Sequence, residues 1–127
     1  VPLVSADDGQ IQQVLLNLIQ NAQEAMAAQA GERVLTVRLV GVEGRARIEV
    51  LDTGPGIPPE VLPRLFKAFM TTKPAGQGTG LGLWISHALI ERHDGALRVE
   101  NRPEGGAAFR VELPYAAPAG RVEAPPR

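Results

Sequence analysis

A chain of 127 residues, 44% of them apolar, can bury one core and is a single-domain length. Its 13 basic and 14 acidic side chains leave a formal charge of −1, and no cluster of Lys or Arg creates a nucleic-acid surface, so no nucleic-acid partner is expected. No run of about eighteen apolar residues spans a membrane, no secretory leader follows a basic start, and the absence of cysteine removes disulfides and thiolate metal sites and fits a reducing compartment.

The chain begins at Val1 without an initiator Met, so a piece of a longer protein is expected, with an ordered domain over residues 1–115 and a disordered Pro-, Gly- and Ala-rich tail over residues 116–127. Leu3-Val4 is a short extended piece. Asp7, with Gln10 three residues on, resembles a capping box. The helix that follows carries Ile11, Val14, Leu15, Leu18, Ile19, Ala22, Ala25 and Met26 on one stripe at helical spacing, and Gly31 is its expected terminator. A neighbouring stripe holds Gln13, Asn17, Asn21 and Glu24. It reads either as a solvated face or as a site. Asn is a poor interior helix residue, and two of them one turn apart beside an apolar seam offer amide oxygens of the kind that suits Mg²⁺, which needs few protein ligands.

Val34–Val40 and Arg45–Asp52 read as a hairpin around Gly41-Val-Glu-Gly44. Alternation sets Ala46, Ile48 and Val50 on the core face, with Arg45, Arg47 and Glu49 opposite. By the same parity Asp52 points into the core. A carboxylate in an apolar layer costs several kcal/mol unless something satisfies it. Either Asp52 caps the turn Thr53-Gly-Pro-Gly56, or its acceptor oxygen serves a ligand N–H beside two glycines that permit close backbone approach.

Pro58–Phe66 reads as a short helix with proline at its start, and residues 67–79 as a long loop whose near end is anchored by Phe66 and Phe69. The glycine run Gly76-Gln-Gly-Thr-Gly-Leu-Gly-Leu83 then enters a helix expected to place Leu81, Trp84, Ile85, Ala88 and Leu89 inward. Glycines before a helix N-terminus make either a hinge or an anion cradle, because the first N–H groups are unpaired and the helix dipole favours negative charge. His87 and His93 have no metal-ligand partner at useful spacing and read as surface or capping residues. After Gly95, Leu97, Val99 and Asn101 share one strand face; Pro103-Glu-Gly-Gly106 turns the chain, and Ala107, Phe109, Val111 and Leu113 face inward on the last strand. The expected architecture is α+β: one mixed sheet of about five strands, covered on one face by about three helices.

These residues fall into four ordered motifs. Asn17-Leu-Ile-Gln-Asn21 resembles the N box of sensor histidine kinases, Asp52-Thr-Gly-Pro-Gly-Ile-Pro58 their first glycine box, Leu65-Phe-Lys-Ala-Phe-Met-Thr-Thr-Lys73 their F box and Gly78-Thr-Gly-Leu-Gly-Leu83 their second glycine box. The chain is thereby similar, over residues 7–114, to the catalytic ATP-binding domain of these kinases, whose Bergerat α/β sandwich is shared with gyrase and the MutL repair ATPases. The lid and the ending Asn101-Arg-Pro-Glu-Gly-Gly106 most resemble the nitrogen-regulation and dicarboxylate-sensor kinases.

The resemblance implies ATP and Mg²⁺ as cofactors, with Asn21 as metal ligand and Asn17 helping to hold phosphate or metal-bound water. It implies Asp52 as acceptor for the adenine amine, Gly54 and Gly56 as points of close approach, and residues 67–79 as an ATP lid. Gly80, Leu81 and Gly82 would meet the phosphates at the helix start, with Gly78 and Thr79 also in the ATP site and Gly76 and Gly78 at the far hinge of the lid. Asn17 stands where ATPase relatives carry a water-activating Glu, so hydrolysis should be slow. Glu24 stands where many kinases carry Lys, which leaves Lys73 as the expected positive partner of the phosphate. Ala107-Ala108 replace a Thr that relatives place near the adenine. No phosphoacceptor box occurs, since His87 precedes Ala88 and His93-Asp94 closes a helix. The acceptor histidine is therefore expected on a separate dimerisation and phosphotransfer domain just upstream of Val1, with a sensor region beyond it and a response regulator downstream. The domain itself is expected to be cytoplasmic, without direct membrane contact. Two other readings remain at this stage: a stand-alone anti-sigma-type serine kinase and a nucleotide-binding module without transfer activity.

Overall fold

The structure is a computed structural model and describes residues 7–27, 29–67 and 82–115. Helix α1 (Asp8–Met26) starts where the Asp7 carboxylate accepts the Gln10 N–H at 3.0 Å. The other half of the capping box is replaced. Asp7 N–H donates to Nε2 of His93, whose Nδ1 lies 2.7 Å from the Leu89 carbonyl. A backbone donor on one nitrogen and a carbonyl acceptor on the other place the imidazole proton on Nδ1. His93 thus ties the start of α1 to the end of the second helix. At its far end α1 stops at Met26, well before Gly31, in a turn where Gln29 and Arg33 side chains bond the carbonyls of Glu32 and Gln29.

Strands β1 (Leu35–Val42) and β2 (Arg45–Asp52) form the expected hairpin, with β1 running two residues further than its pattern suggested. Val42 pairs with Arg45, so the turn is only Glu43-Gly44, and Gly44 supplies the positive φ (74°) that a two-residue connection demands. The expected short helix at Pro58–Phe66 is reduced to a 3-10 turn, Leu62–Arg64. Pro63 has no N–H to continue an α-helical ladder. Helix α2 (Gly82–Arg92) and strands β3 (Ala96–Asn101) and β4 (Ala107–Pro114) complete the described chain. The sheet order is β1-β2-β4-β3, every neighbouring pair antiparallel among the described residues. The α+β class stands, but among the described residues the sheet has four strands and is antiparallel rather than mixed, with two α-helices on one face; Leu3-Val4 and the tail from residue 116 lie outside the described residues.

The core lies between the helices and one sheet face. Val14, Leu18 and Ala22 of α1 meet Val50, Leu97, Phe109, Val111 and Leu113, with Ile90 of α2 fully buried among them. The inward face of α2 is not the one expected. Trp84, Ile85 and Ala88 are exposed, whereas Ser86 and Ile90 are completely buried and Leu83 and Leu89 pack at the margin. The residue that rotates the helix is Ser86. A buried hydroxyl breaks the apolar pattern read from sequence and is tolerated because α1 supplies it with a partner.

Glu49 and Glu112 lie on the sheet face opposite the helices and are nevertheless buried. They sit beneath arginines from neighbouring strands. Arg38 and Arg110 bond Glu49 at 2.9 and 2.7 Å, Arg47 bonds Glu112 at 2.7 Å, and Arg110 also reaches Glu100. Burial acts to raise the Glu49 pKa, but hydrogen bonds and charge from Arg110 and Arg38 outweigh it and leave the pKa below its ordinary 4.5. A lowered folded-state pKa contributes stability above the unfolded value that is lost as pH falls through the folded one. Glu49→Gln should therefore cost about 1.5–3 kcal/mol near neutral pH, the usual worth of hydrogen bonds to a charged group. Urea melts at a series of pH values should show the gap between variant and parent closing below pH 4.5. A gap independent of pH would show that shape, not charge, is what Glu49 provides.

Candidate functional site

The polar stripe of α1 is the spine of the site, and it runs beside the core seam because Asn17 and Asn21 flank the buried Leu18 and Ala22. At one end Asn17 reaches α2. Its Nδ2 donates to the Ser86 hydroxyl at 3.1 Å and lies 3.5 Å from the Gly82 carbonyl, while its Oδ1 accepts from Gln13 at 3.2 Å. Asn17 therefore seats the N-terminus of α2. At the other end the first glycine loop packs under the last turn of α1. A Cβ on Gly54 would lie 3.1 Å from Asp52 Oδ1 and 3.4 Å from the Met26 side chain, so only glycine leaves the carboxylate uncrowded. Asn21, half-buried, stands between the two ends.

Asp52 is 2% exposed, on the core face that parity assigned it. Its Oδ1 accepts the Gly54 N–H at 2.8 Å and the Ala107 N–H at 3.2 Å. The capping role is thus real, and one oxygen performs it; Oδ2 takes no part in either bond. Gly56 has φ of 82°, a conformation that a side chain would strain. From Asn17 to Ala25, beside Gly54, the helix rises about 12 Å. A buried acceptor, a pair of amide side chains and a helix N-terminus are thus strung in order along one line, a sequence of groups suited to a base, a metal-bridged middle and an anionic end.

Among the described residues no group of three or more His, Cys, Asp and Glu is placed to cage a metal. Amide oxygens from α1 fit Mg²⁺, which takes one or two protein ligands and completes its shell with water and phosphate. Gly82 is exposed at the start of α2, next to Asn17. Lys73, Gly78, Thr79, Gly80 and Leu81, with Phe69 and most of the expected lid, lie outside the described residues. Phe66, at the near end of that segment, packs against the core and stacks on His87 with ring centroids 4.8 Å apart.

Residues 6–117 match the family described as Histidine kinase-, DNA gyrase B-, and HSP90-like ATPase. The chain belongs to this family. Among curated proteins it is 45% identical to the sensor protein FixL of Bradyrhizobium diazoefficiens, over 90% of this chain and 22% of that protein. It is 45% identical to the C4-dicarboxylate transport sensor protein DctS of Rhodobacter capsulatus, over 90% of this chain and 17% of that one. The sensory histidine kinase/phosphatase NtrB of Vibrio alginolyticus is 37% identical over 90% of this chain and 34% of its own. The chain thus spans about a third or less of the length of these relatives. Among solved structures, the catalytic domain of histidine kinase ThkA superposes with a TM-score of 0.75 at 38% identity, covering 87% of this chain and 71% of that one. Full-length ShkA in complex with AMPPNP gives 0.74 at 38% identity, over 94% of this chain and 24% of that one.

The protein is accordingly a catalytic domain of the histidine-kinase type. Both ring nitrogens of His93 are engaged, and His87 stacks on Phe66 with Glu91 3.7 Å away. No described helix is long and apolar enough to cross a membrane. The residue that sequence reasoning missed is Ser86, whose only signal was a hydroxyl one turn from Gly82 in an otherwise apolar run. Removing it should leave Asn17 Nδ2 without its best acceptor. Ser86→Ala is expected to lower stability by about 1–2 kcal/mol in urea unfolding. An unchanged midpoint would mean that the Asn17–Ser86 bond contributes nothing to seating α2.

Proposed function

We propose that this domain, over residues 1–115, binds Mg·ATP and presents the γ-phosphate to a histidine on a separate dimerisation and phosphotransfer domain of its parent protein. The observation that carries the reading is Asp52, a buried carboxylate held by two backbone N–H groups through one oxygen at the start of the first glycine loop. A carboxylate in that position is an acceptor for an exocyclic amine, and adenine carries one where guanine carries a carbonyl. Gly54 and Gly56 admit the base, Asn21 supplies an amide oxygen to Mg²⁺, and Asn17 holds α2 so that the N–H groups at Gly82 face the phosphates. Lys73 is proposed as the lid's cation on the phosphate, with Gly80 and Leu81 completing the phosphate contacts and residues 67–79, including the ATP-site residues Gly78 and Thr79 at the far hinge, forming the lid. When bound, Mg²⁺ supplies charge neutralisation across the phosphates; the chain's own groups orient them.

Asn17, with its amide committed to Ser86 and Gln13, is no general base, so water is a poor competitor for the phosphate. The bound AMPPNP of ShkA supports a nucleotide reading for this fold, and the sensor-kinase relatives support a histidine acceptor and a response regulator downstream. A cytoplasmic setting follows from that use of ATP.

Asp52→Ala should weaken Mg·ATP binding by about 1.5–3 kcal/mol, roughly ten- to a hundred-fold, in a calorimetric titration. Incubation of the domain with labelled ATP and the parent's phosphotransfer fragment should then place label on histidine, in an acid-labile linkage. Label on serine of another protein would support an anti-sigma-type kinase instead. Tight binding with no transfer to the parent's own fragment would reduce the domain to a nucleotide-binding module.

A further inference from the structure

Asp52 sits at the head of a loop, Thr53-Gly-Pro-Gly-Ile57, whose two glycines make it easy to displace. Thr53 accepts the Val34 N–H at 3.0 Å and touches Met26, and the turn between β3 and β4 holds the loop at both of its ends. Asn101, the last residue of β3, bonds both backbone groups of Ile57: Oδ1 accepts the Ile57 N–H at 2.7 Å and Nδ2 donates to the Ile57 carbonyl at 2.8 Å. The side-chain amide thereby copies the paired bonds of a strand neighbour at a point where Pro58 ends any regular pairing. The next residue, Arg102, donates from Nη1 to the Asp52 carbonyl at 2.7 Å. Arg102 is itself fixed, by its N–H on the Gly106 carbonyl at 2.8 Å and by Glu104 at 3.1 Å. Gly106 (φ 91°) presses its backbone so closely on the Asp52 carbonyl that a Cβ there would collide with it, and the following Ala107 N–H reaches Asp52 Oδ1.

One five-residue turn and the two residues flanking it therefore grip the glycine loop at its head, through Asp52, and at its foot, through Ile57. Because Gly54 N–H is the other donor to Oδ1, the position of the loop sets the direction of the carboxylate. We propose that Asn101 and Arg102 are positioning residues for base selectivity: they hold the loop so that Asp52 Oδ2 points to the exocyclic amine of the bound base. The proposal rests on the reading of Asp52 as the adenine acceptor. Neither residue needs to touch the nucleotide. The selectivity matters more in this chain than the position of Asp52 alone suggests, because Ala107 and Ala108 bring no side-chain hydrogen bond to the same end of the site.

The test is a selectivity ratio. Calorimetric titration of the domain with Mg·ATP and with the Mg complex of purine riboside triphosphate, which lacks the amine, gives the preference of each variant for the amine. The parent should prefer ATP, and Asp52→Asn should abolish the preference. Asn101→Ala should lower it about three- to ten-fold, the usual worth of a lost hydrogen bond, with little change in melting temperature since Asn101 is an exposed side chain. Arg102→Gln should shift the ratio in the same direction, and it answers the question if Asn101→Ala proves unstable. Equal weakening of both nucleotides, or no weakening, in both variants would overturn the positioning role while leaving Asp52 as the acceptor. A parent with no preference between the two nucleotides would overturn the acceptor reading and this inference with it.

Discussion

The arrangement of the whole site depends on one buried charge. Asp52 lies at the end of β2 on the core face, where an unsatisfied carboxylate would be costly. Two backbone N–H groups from separate segments, Gly54 and Ala107, meet the same oxygen. That economy lets the fold hold the carboxylate without exhausting it. It also dictates local sequence: a glycine at 54 to clear the carboxylate, a glycine at 106 to let the β3–β4 turn approach, and small residues at 107 and 108 on a central strand buried from both sides.

Helix α1 carries the other half of the arrangement. Its apolar stripe is anchored in the core by Val14, Leu18 and Ala22, and this anchorage aims the Asn17–Asn21 stripe along the line from the glycine loop to the start of α2. The bond from Asn17 to Ser86 couples the two helices at one end of α2, and His93 couples them at the other through Asp7. The N-terminus of α2 is thus positioned by polar contacts, with the apolar surface of Trp84 and Ile85 left outside. On the opposite side of the sheet Arg38, Arg47 and Arg110 pair with the buried Glu49 and Glu112.

Much of this was legible from the residues. Alternation in β2 placed Asp52 inward, helical spacing set the Asn stripe beside the core seam, and four motifs in order pointed to the family. What escaped was whatever depends on partners distant in sequence. The rotation of α2 is set by a bond between Ser86 and Asn17, which no periodicity of α2 contains. The burial of Glu49 requires Arg38 and Arg110 from the two strands beside it. Pro63, in plain view, should have cut the short helix to a turn. The double bond of Asn101 to Ile57 is invisible to any local pattern, because a strand-end Asn reads only as a turn former.

The central claim is that Asp52 and its two amide donors form the base end of an adenine nucleotide site. The most direct measurement is an amide NMR titration of the domain with Mg·ATP and, separately, with Mg·GTP. The Gly54 and Ala107 N–H resonances, which report the bonds to Asp52 Oδ1, should shift saturably with ATP and hardly at all with GTP at the same concentrations. Saturable shifts elsewhere with neither amide responding, or equal responses to both nucleotides, would contradict the account.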